Sequence, residues 1–144
     1  MNIVFFVSFS YDVGTGHIYR CINLAKSIKR EKIYFITDTF DKNINSKIKK
    51  FNFNIKIIKK NLPDYKKKII NYLKKIKIID LLVIDDYKLT ISYEKELNKY
   101  AKKTLVIDDL YKSHYCDYLL NYNVKKYPKK FLKKKNSYLL NNQK

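Results

Sequence analysis

The sequence predicts an α/β domain built on a parallel sheet with helices on both faces. Short runs of Ile, Val, Leu and Phe alternate along the chain with amphipathic stretches of helical period. The runs are almost continuously apolar, as strands buried on both faces are, and the intervals between them have the length of crossover helices. The chain has two glycines, Gly14 and Gly16, and both fall where the first run meets the first amphipathic stretch.

The first strand is read from Ile3 to Val7. The helix predicted from Gly16 to Lys29 places Ile18, Cys21, Ile22, Ala25 and Ile28 at spacings of three and four, a single apolar stripe for the sheet. Asn23, Lys26 and Lys29 are left for water. Cys21 belongs to that stripe and reads as a small packed hydrophobe. There follow a strand from Ile33 to Thr37, a helix from Asp41 to Phe51 and a strand from Asn54 to Ile58. Next come a helix from Asp64 to Lys75, a strand from Asp80 to Ile84 and a helix from Ser92 to Lys102. A strand from Thr104 to Ile107 and a short strand near Tyr118 to Leu120 complete the series. The succession is βαβ throughout, and the fold class is α/β, Rossmann-like. From Lys125 to Lys135 the chain is lysine-rich around Tyr127, Pro128 and Phe131, and a weak apolar patch, Ser137 to Leu140, comes after it. Residues 1–123 read as one domain and 124–144 as a segment leading toward a further one.

Composition bounds the function classes. A chain of 144 residues with 46% hydrophobic residues can bury one sizeable core. No apolar run approaches the roughly 20 residues of a membrane span, so no membrane role is expected. The strand-like start, Asn2 to Val7, lacks a basic n-region and a cleavage site, which reads as cytoplasmic. Cys21 and Cys116 have neither CxxC spacing nor further partners, so neither a zinc site nor a disulfide framework is expected. The net charge of +19 points on its face to nucleic acid or an anionic surface. Yet of 32 basic residues only Arg20 and Arg30 are arginine, and the abundant Lys, Ile, Asn, Tyr and Phe all have AT-rich codons. Nucleic-acid sites favour arginine for bidentate contacts, so the lysine excess reads as solvated faces. A basic nucleic-acid-binding module stays as the alternative class, carried by the charge and by 14 tyrosines able to stack bases.

Two glycines at spacing two, in a chain that uses glycine nowhere else, mark a backbone that turns sharply and comes close to a ligand. The helix start after them supplies unpaired N–H groups and positive dipole for a phosphate. A dinucleotide fingerprint fails because Tyr19 stands where the third glycine belongs, although Asp38 occupies the place of a ribose-binding acid. His17 opens the helix beside this seat, at the sheet edge where α/β ligands bind, with a side chain suited to proton transfer near neutral pH. Acidic pairs, Asp85-Asp86 and Asp108-Asp109, close two other strands on the same edge. One member of each pair is free to face the cleft while the other caps a loop. A two-carboxylate magnesium site lacks a third ligand at a sensible spacing, so no metal and no cofactor is expected.

The stretch Val13-Gly14-Thr15-Gly16-His17-Ile18-Tyr19-Arg20-Cys21-Ile22-Asn23-Leu24-Ala25 resembles the IGxGHxxRCxxLA signature of the UDP-2,4-diacetamido-2,4,6-trideoxy-β-L-altropyranose hydrolases of pseudaminic acid biosynthesis. Leu82-Val83-Ile84-Asp85-Asp86-Tyr87 with Glu94 is similar to the family's VDxY segment and the WE after it. Val106-Ile107-Asp108-Asp109-Leu110 and the stretch Cys116 to Asn123 are similar to its IDDL and CDLLLDQN segments. The resemblance implies the N-terminal half of a GT-B protein, in which water attacks the anomeric carbon of a UDP-sugar and UDP leaves. It implies His17 as general base, Gly14, Thr15, Gly16 and Arg20 on the diphosphate and substrate, and Asp85, Tyr87 and Asp108 on the sugar side. The chain departs from the family pattern at Phe6 and Ser8 (usually Arg and Asp), Tyr93 (Trp), Asn121 (an acid) and Tyr122 (Gln). Family members are about twice as long, so the resemblance also implies that a second domain or chain supplies the UDP site and that this half alone turns over little.

Overall fold

In the computed structural model, which describes residues 1–10, 14–28, 31–122 and 128–141, the expected alternation is present. The elements are β1 (Asn2–Val7), α1 (Gly16–Ser27), β2 (Lys32–Thr37), α2 (Lys42–Lys50), β3 (Asn54–Ile57) and α3 (Tyr65–Lys75). They continue as β4 (Leu81–Asp85), α4 (Ile91–Asn98), β5 (Lys103–Ile107), β6 (Tyr118–Asn121) and β7 (Tyr138–Asn141). All seven strands are parallel, in the order β3-β2-β1-β4-β5-β6-β7. The fold is α/β and Rossmann-like.

Strand residues alternate between two cores. Val4, Phe6, Ile36, Leu82, Ile84 and Val106 point to the side covered by α3 and α4, where Ile69, Leu73, Tyr93 and Leu97 meet them. Ile3, Phe5, Val7, Ile33, Phe35 and Val83 point to the side covered by α1 and α2. The α1 stripe is as the periodicity predicts: Ile18, Cys21, Ile22 and Ala25 are all fully buried. Burial of each isoleucine contributes roughly 1.5–3 kcal/mol, so a polar residue at position 22 would detach the helix.

β1 has β2 on one side and β4 on the other, so the chain reverses its direction of travel across the sheet there. In a parallel sheet this reversal opens a crevice at the carboxyl ends of the two strands. Val7 and Asp85, the last residues of β1 and β4, are partners in register across that point.

Two elements differ from the expectation. α4 stops at Asn98, because the chain turns at Lys99 and Tyr100 and Lys102 is held back to the sheet by bonds to the Ile79 carbonyl and to Asp80. Residues 138–141, expected in the segment beyond the first domain, extend the sheet as β7. Tyr138 N–H donates to the Asp117 carbonyl (2.7 Å), Ser137 Oγ donates to the Cys116 carbonyl (2.7 Å), and the rings of Tyr118 and Tyr138 stack. Lys134, from the lysine-rich run, reaches Asp117 Oδ2 at 2.7 Å and ties this return to the start of β6. The boundary read at 123/124, together with Val13, Lys29, Lys125 and Tyr127, lies outside the described residues. Among the described residues no helix is long and apolar enough to cross a membrane.

Candidate functional site

The residues that follow β1, β4 and β5 meet at the switch point. The β1–α1 loop is fixed first. Ser8 N–H donates to the Asp85 carbonyl, Ser8 Oγ donates to Asp38 Oδ2 (2.6 Å), and Phe9 N–H donates to Asp38 Oδ1. Asp38, in the ribose-acid position of a dinucleotide fold, is thus committed to holding the loop. Gly14 has φ +93°, a left-handed conformation that other residues adopt only with strain, and its N–H donates to the Ser10 carbonyl at 2.8 Å. Gly16 begins α1 with ordinary backbone, and a Cβ there would meet no atom within 4 Å. The fold does not require glycine at 16; the space before it is open. Thr15, the N-cap, makes no side-chain cap bond, and the first turn of α1 carries no acidic residue. Among the described residues neither a Thr15 cap bond nor an acidic side chain of the first turn offsets the positive end of α1.

His17 lies in this first turn, 7% exposed, and its Nδ1 is 2.6 Å from Asp85 Oδ1. An Arg20 terminal nitrogen also stands 3.2 Å from Nδ1, but the shorter contact is to the carboxylate, which only accepts; this assigns the proton to Nδ1 and, in the neutral ring, the lone pair to Nε2. Asp85 is wholly buried and is gripped twice more by Arg20, through Nε to Oδ2 and through a terminal nitrogen to Oδ1, both at 2.6 Å. Cys21 Sγ, one helical residue on, donates to Oδ2 at 3.5 Å. Burial alone would raise the Asp85 carboxyl, but the hydrogen bonds from Arg20 and His17 outweigh it and hold it below the usual carboxylate range. The result is a fixed anion that orients the His17 ring.

Around this pair the other side chains close. The Tyr87 ring meets His17 edge-on at 4.2 Å, and its hydroxyl donates to Asp109 Oδ1. Burial, then the Asp109 carboxylate, push the Tyr87 phenol up to about 12, so it stays a donor at neutral pH. Arg20 also reaches Asp109 Oδ2 at 3.2 Å and lies near the faces of Tyr87 and Tyr122. A cavity of about 380 Å³ opens beside Arg20, Asn23, Leu24 and Tyr122.

The structure thus brings together Gly14, Thr15, Gly16, His17, Arg20, Asp85 and Tyr87. Asp108 is placed elsewhere. Its carboxylate, 1% exposed, accepts from Leu110 N–H (3.1 Å) and Lys112 N–H (3.0 Å), a tight turn that points it into the loop. Asp109 takes the position on the cleft that the sequence reading gave to Asp108. Sequence reasoning also missed a second histidine cluster: His114 Nδ1 is 2.7 Å from Glu94 Oε1, and Nε2 lies 3.3 Å from Asp108 Oδ2 at ion-pair distance but off the hydrogen-bond line. Tyr115 N–H takes the other Glu94 oxygen. Glu94 entered the sequence reading only through the resemblance and His114 not at all, and only the fold brings them together. Among the described residues no group of His, Cys, Asp and Glu is arranged to hold a metal ion.

No protein-family model matches the chain, and no curated protein sequence matches it.

Proposed function

We propose that this chain is the sugar-side half of a nucleotide-sugar hydrolase that acts on a UDP-linked diacetamido-trideoxy sugar, in surface-glycan biosynthesis of the pseudaminic acid type. The observation that carries the reading is the Asp85-oriented His17 in the first turn of an uncapped helix. A base on water must present one fixed lone pair, and a carboxylate on the other ring nitrogen supplies that orientation. In the proposed step the water oxygen bonds to the anomeric carbon and gives its proton to His17 Nε2. The bond from that carbon to the diphosphate oxygen breaks, and its electron pair leaves with UDP. The backbone at Gly14, Thr15 and Gly16 and the positive end of α1 face the leaving diphosphate. Arg20 acts as a positioning residue through Asp85, while the Tyr87 oxygen and the remaining lone pairs of Asp109, which already accepts from Tyr87 and Arg20, offer acceptors to sugar hydroxyl and amide groups. The reaction needs no metal and no cofactor. A second domain or chain closes over the uridine.

The test is release of UDP and free sugar from the UDP-sugar, by this chain alone and by the protein completed with a UDP-binding domain. The completed protein should release both, the isolated chain little or none, and completed His17→Asn on the order of a hundredfold less. Absence of release from the completed protein rejects the activity. Full release by His17→Asn rejects the base, and robust release by the isolated chain rejects the need for a second domain.

A further inference from the structure

The Asp85-Asp86 pair divides two sites. Asp85 faces α1, and Asp86 faces the opposite side of the sheet, where its carboxylate accepts from Lys60 Nζ (2.8 Å) and from Lys88 N–H (2.9 Å). Beside it, between the starts of α3 and α4, lies a cavity of about 230 Å³. Tyr65, Lys66, Leu89, Thr90 and Tyr93 line it together with Lys60. Tyr93 is 4% exposed, and neither its hydroxyl nor that of Tyr65 has a hydrogen-bond partner among the described residues, although both oxygens are buried. An orphaned buried hydroxyl is rare and destabilising, and two on one cavity point to a ligand that supplies the acceptors. We propose that this cavity is a second ligand site, separate from the His17 cluster, that takes a small molecule bearing a carboxylate or phosphate on an apolar body.

The charge around the cavity sets the sign of the ligand. Asp86, which itself lines the cavity, shares the Lys60 ammonium with Asp38, at 2.8 and 3.4 Å. Lys66, with Nζ 5.0 Å from the Tyr93 ring centroid, and Lys88 add two positive charges to the lining. Burial is the main cause that raises both phenols above their ordinary range, so both remain O–H donors at neutral pH. With Lys60, Lys66 and Lys88 set against Asp86 and Asp38, the charge balance at the cavity favours an oxyanion, while the tyrosine rings and Leu89 accept a carbon body. The volume lies below the roughly 300 Å³ at which drug-sized ligand pockets begin, so the ligand is small.

The experiment titrates the full chain with phenyl phosphate, benzoate and inorganic phosphate, following backbone amide resonances and heat. Phenyl phosphate or benzoate should bind and shift the resonances of Lys66, Leu89 and Tyr93, and the stronger of the two identifies the oxyanion. Tyr65→Phe and Tyr93→Phe remove a hydroxyl that has no partner, so each should melt at or above the wild-type temperature. Each should also weaken binding by about tenfold, the usual effect of losing a hydrogen bond to a charged group. Lys66→Gln should weaken binding and reduce its salt dependence, and His17→Ala should bind the probes as wild type does. The last result separates this site from the proposed hydrolysis, since either reading can fail alone. No shift with either organic probe at concentrations on the order of 10 mM overturns the proposal. So does undiminished binding by the Tyr65→Phe, Tyr93→Phe double variant, and inorganic phosphate binding as tightly as phenyl phosphate overturns the carbon body.

Discussion

The chain has two histidines, and each is held by a buried carboxylate, yet they are built for opposite ends. Among the described residues His17 is engaged at Nδ1 alone, on the first turn of α1. His114 has a carboxylate at each ring nitrogen, Glu94 and Asp108, while its backbone N–H and carbonyl bond to Phe131 and Lys133. A histidine with one nitrogen committed can do chemistry with the other. With both committed, it is a cross-link between α4, the loop after β5 and the return toward β7.

The largest effect should come from Asp85→Asn, which strikes His17 and the fold together. Removing this charge leaves Arg20 without its buried partner, which should cost roughly 3–5 kcal/mol in denaturant unfolding. Any turnover by the folded fraction should drop at least as far as in a His17 variant, because the amide no longer fixes the ring tautomer. An Asp85→Asn protein with wild-type stability would break the account of the site.

His114→Ala should cost about 3 kcal/mol or more, since two buried carboxylates lose their common cation. Turnover per folded molecule should not change. Burial by itself lowers His114, but Asp108 and Glu94 outweigh it and push it up to about 9. A raised histidine contributes its full stability below the unfolded value, roughly 6.5, and loses it as pH rises through the folded value. Wild-type stability should therefore decline between about pH 6.5 and 9. The variant should be flatter across that window, and an equal slope in both would remove His114 as the cause.

His17→Asn should show the reverse pattern. In the chain joined to a UDP-binding domain, as the proposed function requires, kcat should fall on the order of a hundredfold. Stability should fall by about 1–2 kcal/mol at most, the usual cost of one lost buried hydrogen bond, because Arg20 still holds Asp85. A large stability loss would make His17 a structural residue like His114.

The glycines sharpen the contrast further. Gly14→Ala must adopt φ near +93° and should destabilise by roughly 1–2 kcal/mol. Gly16→Ala meets open space and should be neutral or slightly stabilising, while weakening UDP binding if the diphosphate approaches there. The smallest effect concerns the lysines. Duplex DNA should bind weakly, without sequence preference and with steep loss as salt rises. A complex that persists at physiological salt would favour the nucleic-acid alternative.

The sheet was legible because each strand is a compact run of β-branched and aromatic residues, and α1 because its stripe has no interruption. β7 was not: Tyr138 to Asn141 is four residues at the end of a lysine run, and what makes it a strand is the β6 edge. Asp117 and Lys134 hold it there, a long-range pair with no local signature. Within the site, Gly14, Gly16 and His17 stood out because glycine is otherwise absent. The choice between Asp108 and Asp109 was not readable. Adjacent carboxylates diverge, and which one turns to the cleft depends on the amides of Leu110 and Lys112, a property of the folded loop. Arg20 was named only through the resemblance, since nothing in an i, i+3 spacing from His17 tells that both grip one aspartate across the sheet.

The two cysteines also have a practical consequence. Burial pushes the Cys116 thiol up to about 12, and burial with the neighbouring Asp85 carboxylate raises Cys21 well above its ordinary value. Neither forms thiolate at neutral pH, and both are fully covered. The native protein should therefore be silent to maleimides and slow to oxidise in air. A single cysteine introduced at an exposed position, Ser46 or Lys95 for instance, would be the one reactive thiol. The folded chain could then carry a fluorophore on α2 or α4 without first deleting a native residue.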